Sequence, residues 1–186
     1  MAIKPRNRAQ TVSDLISAAR AQLEHTAYEQ VRTRDIAEEA GCTHGLITQY
    51  FGSKLGLYTQ VLQDIAAEIN DLISNGLSVD QLVTYPLSST YWRLLAALMT
   101  AGLDPADALI DGKPAIETMV RRGSEMVGRD LSELRDIAGL LILMVGGYHM
   151  FGPALMSTLS STSEPQDAAI ALRRTVDLLL RGLSQE

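Results

Sequence analysis

The sequence has little cysteine and few aromatic residues. Its single cysteine, Cys42, cannot form an internal disulfide, which favours a reducing compartment and a cytoplasmic location. Nine of the 186 residues are aromatic (two Phe, one Trp and six Tyr), whereas Ala and Leu are abundant, so helices are favoured over a β-sandwich. With 46% hydrophobic residues, the chain can still bury a substantial core in one domain or two unequal ones.

Long apolar segments are also scarce. The N-terminus carries bases but lacks the apolar stretch of a signal peptide. From Ile137 to Met156 no residue is charged over 20 positions, long enough to cross a bilayer. This segment also contains four glycines, a proline and a histidine, and its densely apolar part is confined to 140–145. We therefore expect a helix buried on both sides and no membrane span.

Acidic residues outnumber basic ones, and the net charge of -6 argues at first against a nucleic-acid partner. The charge is unevenly distributed, however. Residues 1–54 hold seven basic and six acidic residues, whereas residues 55–186 hold nine and sixteen. The first ten residues contain three bases and no acid, as in a short cationic arm. The overall acidity therefore does not exclude a nucleic-acid-binding module at the N-terminus.

The hydrophobic periods of the first fifty residues are helical. A first helix, with Thr11 or Ser13 as its N-cap, has an apolar face that includes Leu15 and Ala19. A short second helix ends at Gly41, and Thr43 caps a third helix whose Ile47 and Phe51 face inward. Two short helices separated only by Gly-Cys-Thr indicate a helix-turn-helix, and the first helix completes a three-helix core.

The remaining residues also predict helices and no strand. An amphipathic helix runs to about Ser74, and a second occupies about 88–101. Asp104-Pro105 and Lys113-Pro114 are start signals for shorter helices. A helix that is apolar nearly all round from Ile137 to Val145 begins at Asp130 and ends near Phe151, and Glu164-Pro165 opens a last, Leu-rich helix. The fold class is therefore all-α.

The segment from Ala27 to Lys54 closely resembles the DNA-binding domain of TetR-family transcriptional regulators. The matching features occur in order and at fixed spacing: Arg34-Asp35-Ile36-Ala37, Glu39-Ala40-Gly41, Thr43, Gly45 and Tyr50-Phe51-x-Ser53-Lys54. The resemblance implies a helix-turn-helix DNA-binding domain over 1–54, with a basic N-terminal arm, and a helical ligand-binding and dimerisation domain over 55–186. Thr48 stands where the family commonly has Tyr, which bears on the exact phosphate contacts and the operator sequence.

The candidate DNA-binding residues each have a physical rationale. Thr33 and Thr43 can cap helices and offer hydroxyls to phosphate, and Gly45 lets the third helix approach a groove closely. Polar side chains on that helix reach base edges in a major groove, while Tyr50 and Lys54 are suited to phosphate. Arg6 and Arg8 can follow the backbone or enter a minor groove. The predicted set is Thr33, Arg34, Thr43, His44, Gly45, Thr48, Gln49, Tyr50 and Lys54.

Several of these residues also have simpler interpretations. His44 can be an ordinary solvated histidine, Tyr50 can pack against the first helix, and Arg34 can form only weak surface ion pairs.

The second domain is expected to form a homodimer and bind a small molecule. The helices at about 130–151 and 165–183 can pack against their copies in a four-helix interface, with Gly139, Gly146 and Gly147 allowing close approach. Alternatively, these helices fill the core of a single subunit. The candidate lining of an apolar ligand pocket is Trp92, Met99, Met119, Met126, Tyr148 and His149. The alternative is that these residues only pack in the core.

Catalytic signatures are lacking. The sequence shows no metal-ligand cluster, Gly-rich phosphate loop or nucleophile–base pair, so an enzyme is disfavoured and no cofactor is expected. The resemblance implies instead a repressor that binds a palindromic double-stranded DNA operator as a homodimer and is released by an unidentified small-molecule effector. The alternative is a small-molecule-binding or catalytic helical protein whose helix-turn-helix is only structural.

Overall fold

The structure is a computed structural model of the chain. It describes residues 7–77, 81–82, 85–104 and 131–159, together with residues 107, 117–118, 120–121, 170, 174–175, 178 and 182. Within these residues there are six α-helices and no strand, which confirms the all-α prediction. The helices are α1 (Arg8–Gln22), α2 (Thr33–Glu39), α3 (Gly45–Phe51), α4 (Lys54–Ser74), α5 (Pro86–Thr100) and α6 (Leu131–Leu159). A 3₁₀ turn at Tyr28–Gln30 lies between α1 and α2.

Helix α1 begins earlier than its sequence predicts. Its N-cap is Asn7, whose side chain accepts a hydrogen bond from the Ala9 N–H at 3.2 Å, so neither Thr11 nor Ser13 caps it. Thr11 is buried inside the helix and donates from its hydroxyl to the Asn7 carbonyl at 3.4 Å. The prediction was wrong because Asn7 is an equally good cap that stands one turn upstream of Thr11.

The helix-turn-helix forms as predicted, with α2 packed against both α1 and α3. Gly41 ends α2 with a φ of 63°, in the left-handed region that glycine adopts without strain. Its N–H donates to the Glu38 carbonyl at 3.0 Å, and the Cys42 N–H donates to the Ala37 carbonyl at 2.9 Å. These two bonds make up a Schellman motif. The motif reverses the chain within a few residues, which is what allows α3 to follow α2 so closely.

The core of this three-helix arrangement is apolar and fully enclosed. The buried side chains come from each of the helices and from α4, in keeping with the periodicity of the sequence. They include Leu15, Ala19, Ile36, Ala37, Ala40, Ile47, Leu57 and Tyr58. Burial of this set holds α3 at a fixed position on the domain surface.

The chain divides into two compact units. The first comprises the described residues up to Asp64 with those between Ala97 and Ala108, and the second comprises those from Ile65 to Ala96 and from Leu109 onward. Helices α4 and α5 therefore contribute residues to both units. The predicted division of the chain at residue 54 stays a prediction.

Helix α6 is the longest element of the second unit. It continues to Leu159, beyond the predicted end at Phe151, and passes through Gly152-Pro153. Leu141 and Val145 are buried and pack with Trp92 of α5, whereas Leu140 and Leu143 are exposed. Among the described residues one side of α6 is buried and the other is exposed, so burial of the second side stays a prediction that depends on a second subunit. Among the described residues, no helix is both long enough and apolar enough to cross a bilayer.

Three predicted helices lie largely outside the described residues. These are the short helices that start at Asp104-Pro105 and Lys113-Pro114 and the last helix, which starts at Glu164-Pro165. The described positions 107, 117–118, 120–121, 170, 174–175, 178 and 182 are helical.

Candidate nucleic-acid interface

Helix α3 presents a polar face to solvent. Ile47 points into the core and is 2% exposed, and Leu46, Tyr50 and Phe51 are half-buried. The exposed positions are His44, Gly45, Thr48 and Gln49, which lie on one side because they are spaced by about one helical turn. The sequence-predicted reading residues are thus brought together on one surface.

In the described part of the chain, the backbone of this surface is open at Gly45. A Cβ placed on Gly45 would meet no atom within 4 Å. Gly45 is therefore not required by packing within the chain, and the space in front of it remains open at the start of α3. An open, glycine-lined helix start allows another molecule to approach the main chain closely.

The predicted capping roles of Thr33 and Thr43 are not observed. Arg32 occupies the N-cap of α2 and His44 occupies the N-cap of α3, neither with a side-chain capping hydrogen bond. Thr43 instead uses its carbonyl, which accepts from the Leu46 N–H at 3.0 Å. The N-cap of α2 lies one residue before the predicted Thr33, and the N-cap of α3 lies one residue after the predicted Thr43. The Thr43 side chain is exposed to solvent.

Tyr50 of α3 contacts Arg8, the first residue of α1. The Arg8 guanidinium carbon lies 5.4 Å from the centroid of the Tyr50 ring, within the range of a cation–π interaction. The sequence predicts Arg8 as part of the cationic arm and allows Tyr50 either to contact phosphate or to pack on the first helix. The contact links the start of α1 directly to α3, while Arg6 lies outside the described residues.

Lys54 opens α4 and lies against Tyr28 of the 3₁₀ turn. Its Nζ donates to the Tyr28 carbonyl and sits 4.3 Å from the centroid of the Tyr28 ring. Burial lowers the pKa of Lys54, and the nearby Glu29 opposes that shift. The half-buried ammonium is therefore engaged within the domain, whereas Arg34 and Thr43 of the predicted DNA-binding set are exposed.

The contact with Lys54 is one end of a short chain of interactions. The rings of Tyr28 and Tyr58 meet edge to face, with centroids 5.2 Å apart. The Tyr58 hydroxyl donates to the Ala19 carbonyl of α1 at 3.1 Å, and burial raises the pKa of Tyr58. The sequence predicts an amphipathic helix here and assigns no role to Tyr28. The four-residue spacing of Lys54 and Tyr58 was the available signal, since it places both on one side of a helix.

The exposed side of α3 carries no aspartate, glutamate, lysine or arginine. Its polar groups are a histidine, a threonine and a glutamine, which donate and accept hydrogen bonds. Arg32 and Arg34 are exposed around the start of α2, and Glu38 and Glu39 are exposed at its end. The Gln22 side chain donates to Glu39 at 2.5 Å and so joins α1 to α2.

The described residues of the predicted ligand pocket do not all belong to one unit. Trp92 packs on Leu141 and Val145, and Tyr148 and His149 have ring centroids 5.3 Å apart on α6. Met99 is 42% exposed and belongs to the first unit, whereas the other described candidates belong to the second. Met119 and Met126 lie outside the described residues. No group of His, Cys, Asp or Glu side chains suited to a metal ion occurs in the described part of the chain.

Comparison with known families identifies a domain. Residues 15–61 match the family described as bacterial regulatory proteins, tetR family, a span that contains α2, α3 and the Lys54–Tyr28 contact. No curated protein shows significant similarity to the chain.

Solved structures of similar fold span nearly the whole chain. A transcriptional regulator from Rhodococcus sp. RHA1 is 20% identical with a TM-score of 0.62, covering 94% of this chain and 98% of its own. A transcriptional regulator from Streptomyces coelicolor is 18% identical with a TM-score of 0.56, covering 91% and 97%. The TetR family repressor AlkX from Dietzia is 19% identical with a TM-score of 0.52, covering 97% and 100%. These similarities show a shared fold.

Proposed function

We propose that this chain, whose residues 15–61 match the tetR family of bacterial regulatory proteins, is a ligand-responsive transcriptional repressor. In this proposal a homodimer binds a palindromic DNA operator in the cytoplasm and is released by a small-molecule effector. DNA-binding transcription regulation is the function that the domain supports. The observation that carries the proposal is the exposed polar face of α3, with His44, Thr48 and Gln49 on one side of a helix-turn-helix.

In this proposal the residues of α3 contact the DNA bases. A B-DNA major groove is wide enough to admit a helix, and a glutamine can bond both hydrogen-bonding groups of an adenine edge. Gln49 and His44 are therefore assigned to base contacts, with Thr48 beside them. The open backbone at Gly45 allows the helix to sit deep in the groove.

Phosphate contacts are assigned to the residues around α3. Thr33, Arg34 and Thr43 precede the two helices of the motif, and Tyr50 with its partner Arg8 lies at the other side. Such contacts fix the register of a protein on the duplex without carrying sequence information.

Dimerisation is assigned to the uncovered side of α6. Leu140 is 63% exposed and Leu143 is 71% exposed, and Met150 and Phe151 continue the same exposed apolar stripe. Exposed apolar patches of this kind mark interaction sites on otherwise soluble domains. A two-fold pairing through α6 and the last helix buries the stripe and sets two copies of α3 about 34–36 Å apart, one helical turn of DNA.

Effector control is assigned to α4. This helix begins at Lys54, directly after α3, and contributes residues to both units. A ligand in the second unit that shifts α4 changes the spacing of the two reading helices. Thermodynamic linkage then requires DNA to weaken ligand binding by the same factor by which the ligand weakens DNA binding.

A gel-shift titration tests DNA binding. The probes are a 200-base-pair duplex from immediately upstream of the chain's own gene and an unrelated duplex of the same length, each at several salt concentrations. We expect tighter binding of the upstream duplex and a loss of affinity as salt rises. Failure to shift either duplex at low salt would instead favour a ligand-binding or catalytic helical protein whose helix-turn-helix is only structural.

Effector release has its own test. A compound that releases the upstream duplex is titrated against free protein and against the DNA complex by calorimetry. We expect the ratio of the two ligand affinities to equal the ratio of DNA affinities without and with ligand. Equal ligand affinity for free and DNA-bound protein contradicts effector control.

A further inference from the structure

Given the DNA binding proposed above, we infer that Lys54 is a positioning residue that holds the loop at Tyr28 against the first turn of α4, rather than a ligand of DNA phosphate. The sequence alone favours a phosphate contact, since a lysine follows the reading helix closely. The contacts of its ammonium lead to the different assignment.

The ammonium of Lys54 is already engaged inside the domain. It donates to the Tyr28 carbonyl and lies over the face of the same residue's ring, 4.3 Å from the centroid. Lys54 is half-buried, so its charge has lost part of its hydration, and the carbonyl and ring replace the missing water. Reaching a phosphate would require breaking both contacts, and the Tyr28 carbonyl would keep only the longer hydrogen bond from the Val31 N–H at 3.3 Å among those described.

Tyr28 is held from two sides by one helix. Lys54 and Tyr58 stand one turn apart on α4, and the Tyr58 ring meets the Tyr28 ring edge to face. Tyr58 is itself fixed, because it is fully buried and its hydroxyl donates to the Ala19 carbonyl. Lys54 and Tyr58 together therefore fasten the turn at Tyr28–Gln30 to α4.

The fastened turn leads directly into α2. Val31, immediately after the turn, is buried, and α2 begins two residues later at Thr33. Since α2 packs against α3, the placement of the turn bears on the placement of the reading helix. Loss of the Lys54 ammonium is expected to loosen this connection without removing any charge from the DNA-facing surface.

The salt dependence of DNA binding separates positioning from phosphate contact. Lys54→Met keeps most of the aliphatic stem and removes the ammonium. We expect it to lower affinity for the upstream duplex about tenfold at every salt concentration, the scale of one partly buried cation–π contact. The slope of log K against log salt is expected to stay that of the unmodified protein. A phosphate ligand would instead reduce the slope by about 0.9 per protomer.

Arg8→Met is the matched control for this measurement. Arg8 is exposed, and like Lys54 it makes a cation–π contact, in its case with the Tyr50 ring. We expect this variant to flatten the salt slope, which shows that the assay detects the loss of one charge. A flattened slope for Lys54→Met, of the size seen for Arg8→Met, overturns the inference.

A double-mutant cycle gives a second, independent test. Tyr28→Leu removes the ring that Lys54 covers while leaving Lys54 in place. Tyr28→Leu keeps the backbone carbonyl that Lys54 bonds and removes only the ring, so Lys54→Met is expected to cost less DNA affinity in this background than in the unmodified protein. An equal cost in both backgrounds contradicts positioning through the Tyr28 ring.

Separate control experiments check the folding of each variant and the DNA binding of the unmodified protein. Circular dichroism and thermal unfolding establish that each variant is folded, and Lys54→Gln, which keeps an N–H donor but no charge, replaces Lys54→Met if the latter is unfolded. The same unchanged slope is expected for it. Absence of binding by the unmodified protein overturns the proposed function and the inference with it, whereas normal binding with a flattened variant slope overturns the inference alone.

Discussion

The indole ring of Trp92 lies against the backbone of Gly146. A Cβ placed on Gly146 would come within 2.9 Å of two ring carbons of Trp92. Gly146 is buried, and its neighbours Leu141 and Val145 form the cluster on which Trp92 packs. The absent side chain at this position is therefore what allows the ring to approach α6. Gly146 is predicted to allow close approach of a second subunit, whereas the close approach seen here is that of Trp92 in the same chain; the role between subunits stays a prediction.

Gly146→Ala is expected to destabilise the second unit. The added methyl group overlaps the ring, and overpacking of this kind typically costs about 1–3 kcal/mol. The free energy of unfolding is measured by urea titration, and the fluorescence of Trp92, the only tryptophan of the chain, reports its displacement.

Gly147→Ala is the matched control for that substitution. A Cβ on Gly147 would meet nothing within 4 Å, so alanine is expected to raise helix stability by up to about 1 kcal/mol. Equal effects of the two substitutions on stability and fluorescence would contradict the packing role of Gly146.

Tyr58→Phe is expected to lower the free energy of unfolding by about 1–2 kcal/mol, since a buried carbonyl loses its donor. At the end of α1 the Leu23 N–H donates to the Arg20 carbonyl, so the Ala19 carbonyl is available to the Tyr58 hydroxyl at 3.1 Å. Urea unfolding at neutral pH provides the measurement. Tyr50→Phe, at a half-buried tyrosine of the same unit, is the control and should change stability less.

The same tyrosine makes stability sensitive to alkaline pH. Burial raises the pKa of Tyr58 above the ordinary value of 10.0, so the unfolded chain releases this proton at a lower pH than the folded one. The contribution of the protonated Tyr58 hydroxyl to the free energy of unfolding is complete below pH 10 and is lost as pH rises above that value.

The unfolding free energy of Tyr58→Phe is therefore expected to fall less steeply above pH 10 than that of the unmodified protein. The lowered pKa of Lys54 has the opposite sign, but Lys54 is present in both proteins and its effect largely cancels in the difference. Parallel curves above this pH would show that Tyr58 does not ionise differently in the two states.

Gln49→Ala is expected to change the sequence preference of DNA binding. A good bidentate contact with one base is worth about 1–3 kcal/mol of discrimination, so selectivity at one operator position should relax. Selection from a randomised duplex library, compared with the unmodified protein, measures the change, and His44→Ala is predicted to act at a different position. Uniform loss of affinity for all sequences counts against base readout by these two residues.

Leu143→Glu is expected to weaken the proposed dimer. The substitution places a charge in the middle of the exposed apolar stripe of α6, where Leu143 is 71% exposed in one chain. Sedimentation velocity over a range of concentrations measures the monomer fraction. Met99→Glu is the control, because Met99 is also an exposed apolar residue but lies on α5. A monomeric unmodified protein, or a dimer indifferent to Leu143→Glu, contradicts this interface.

Hydrophobic periodicity predicted the helices well, because the apolar spacing of α1, α3 and α4 coincides with what the core buries. The helix ends were harder to predict from the sequence, because Asn7 and Thr11 are both good N-caps and only tertiary packing selects between them. The contacts of Lys54 could not be read from the chain, since Tyr28 lies 26 positions away and the cation had an equally plausible partner in phosphate. The exposed stripe of α6 could not be located from the sequence for a related reason, since periodicity does not distinguish a side that one subunit covers from a side left for a second copy.

The uncharged outer side of α3 has a consequence for how a target is found among competing sites. Affinity for arbitrary DNA is almost entirely an attraction between cations and phosphates. A helix that offers only His44, Gly45, Thr48 and Gln49 adds little to that attraction. Its contribution is gained chiefly where the base edges match, so this helix widens the gap between operator and bulk genome rather than raising both affinities together. A substitution that placed lysine at Thr48 would narrow that gap even if it tightened binding to the operator.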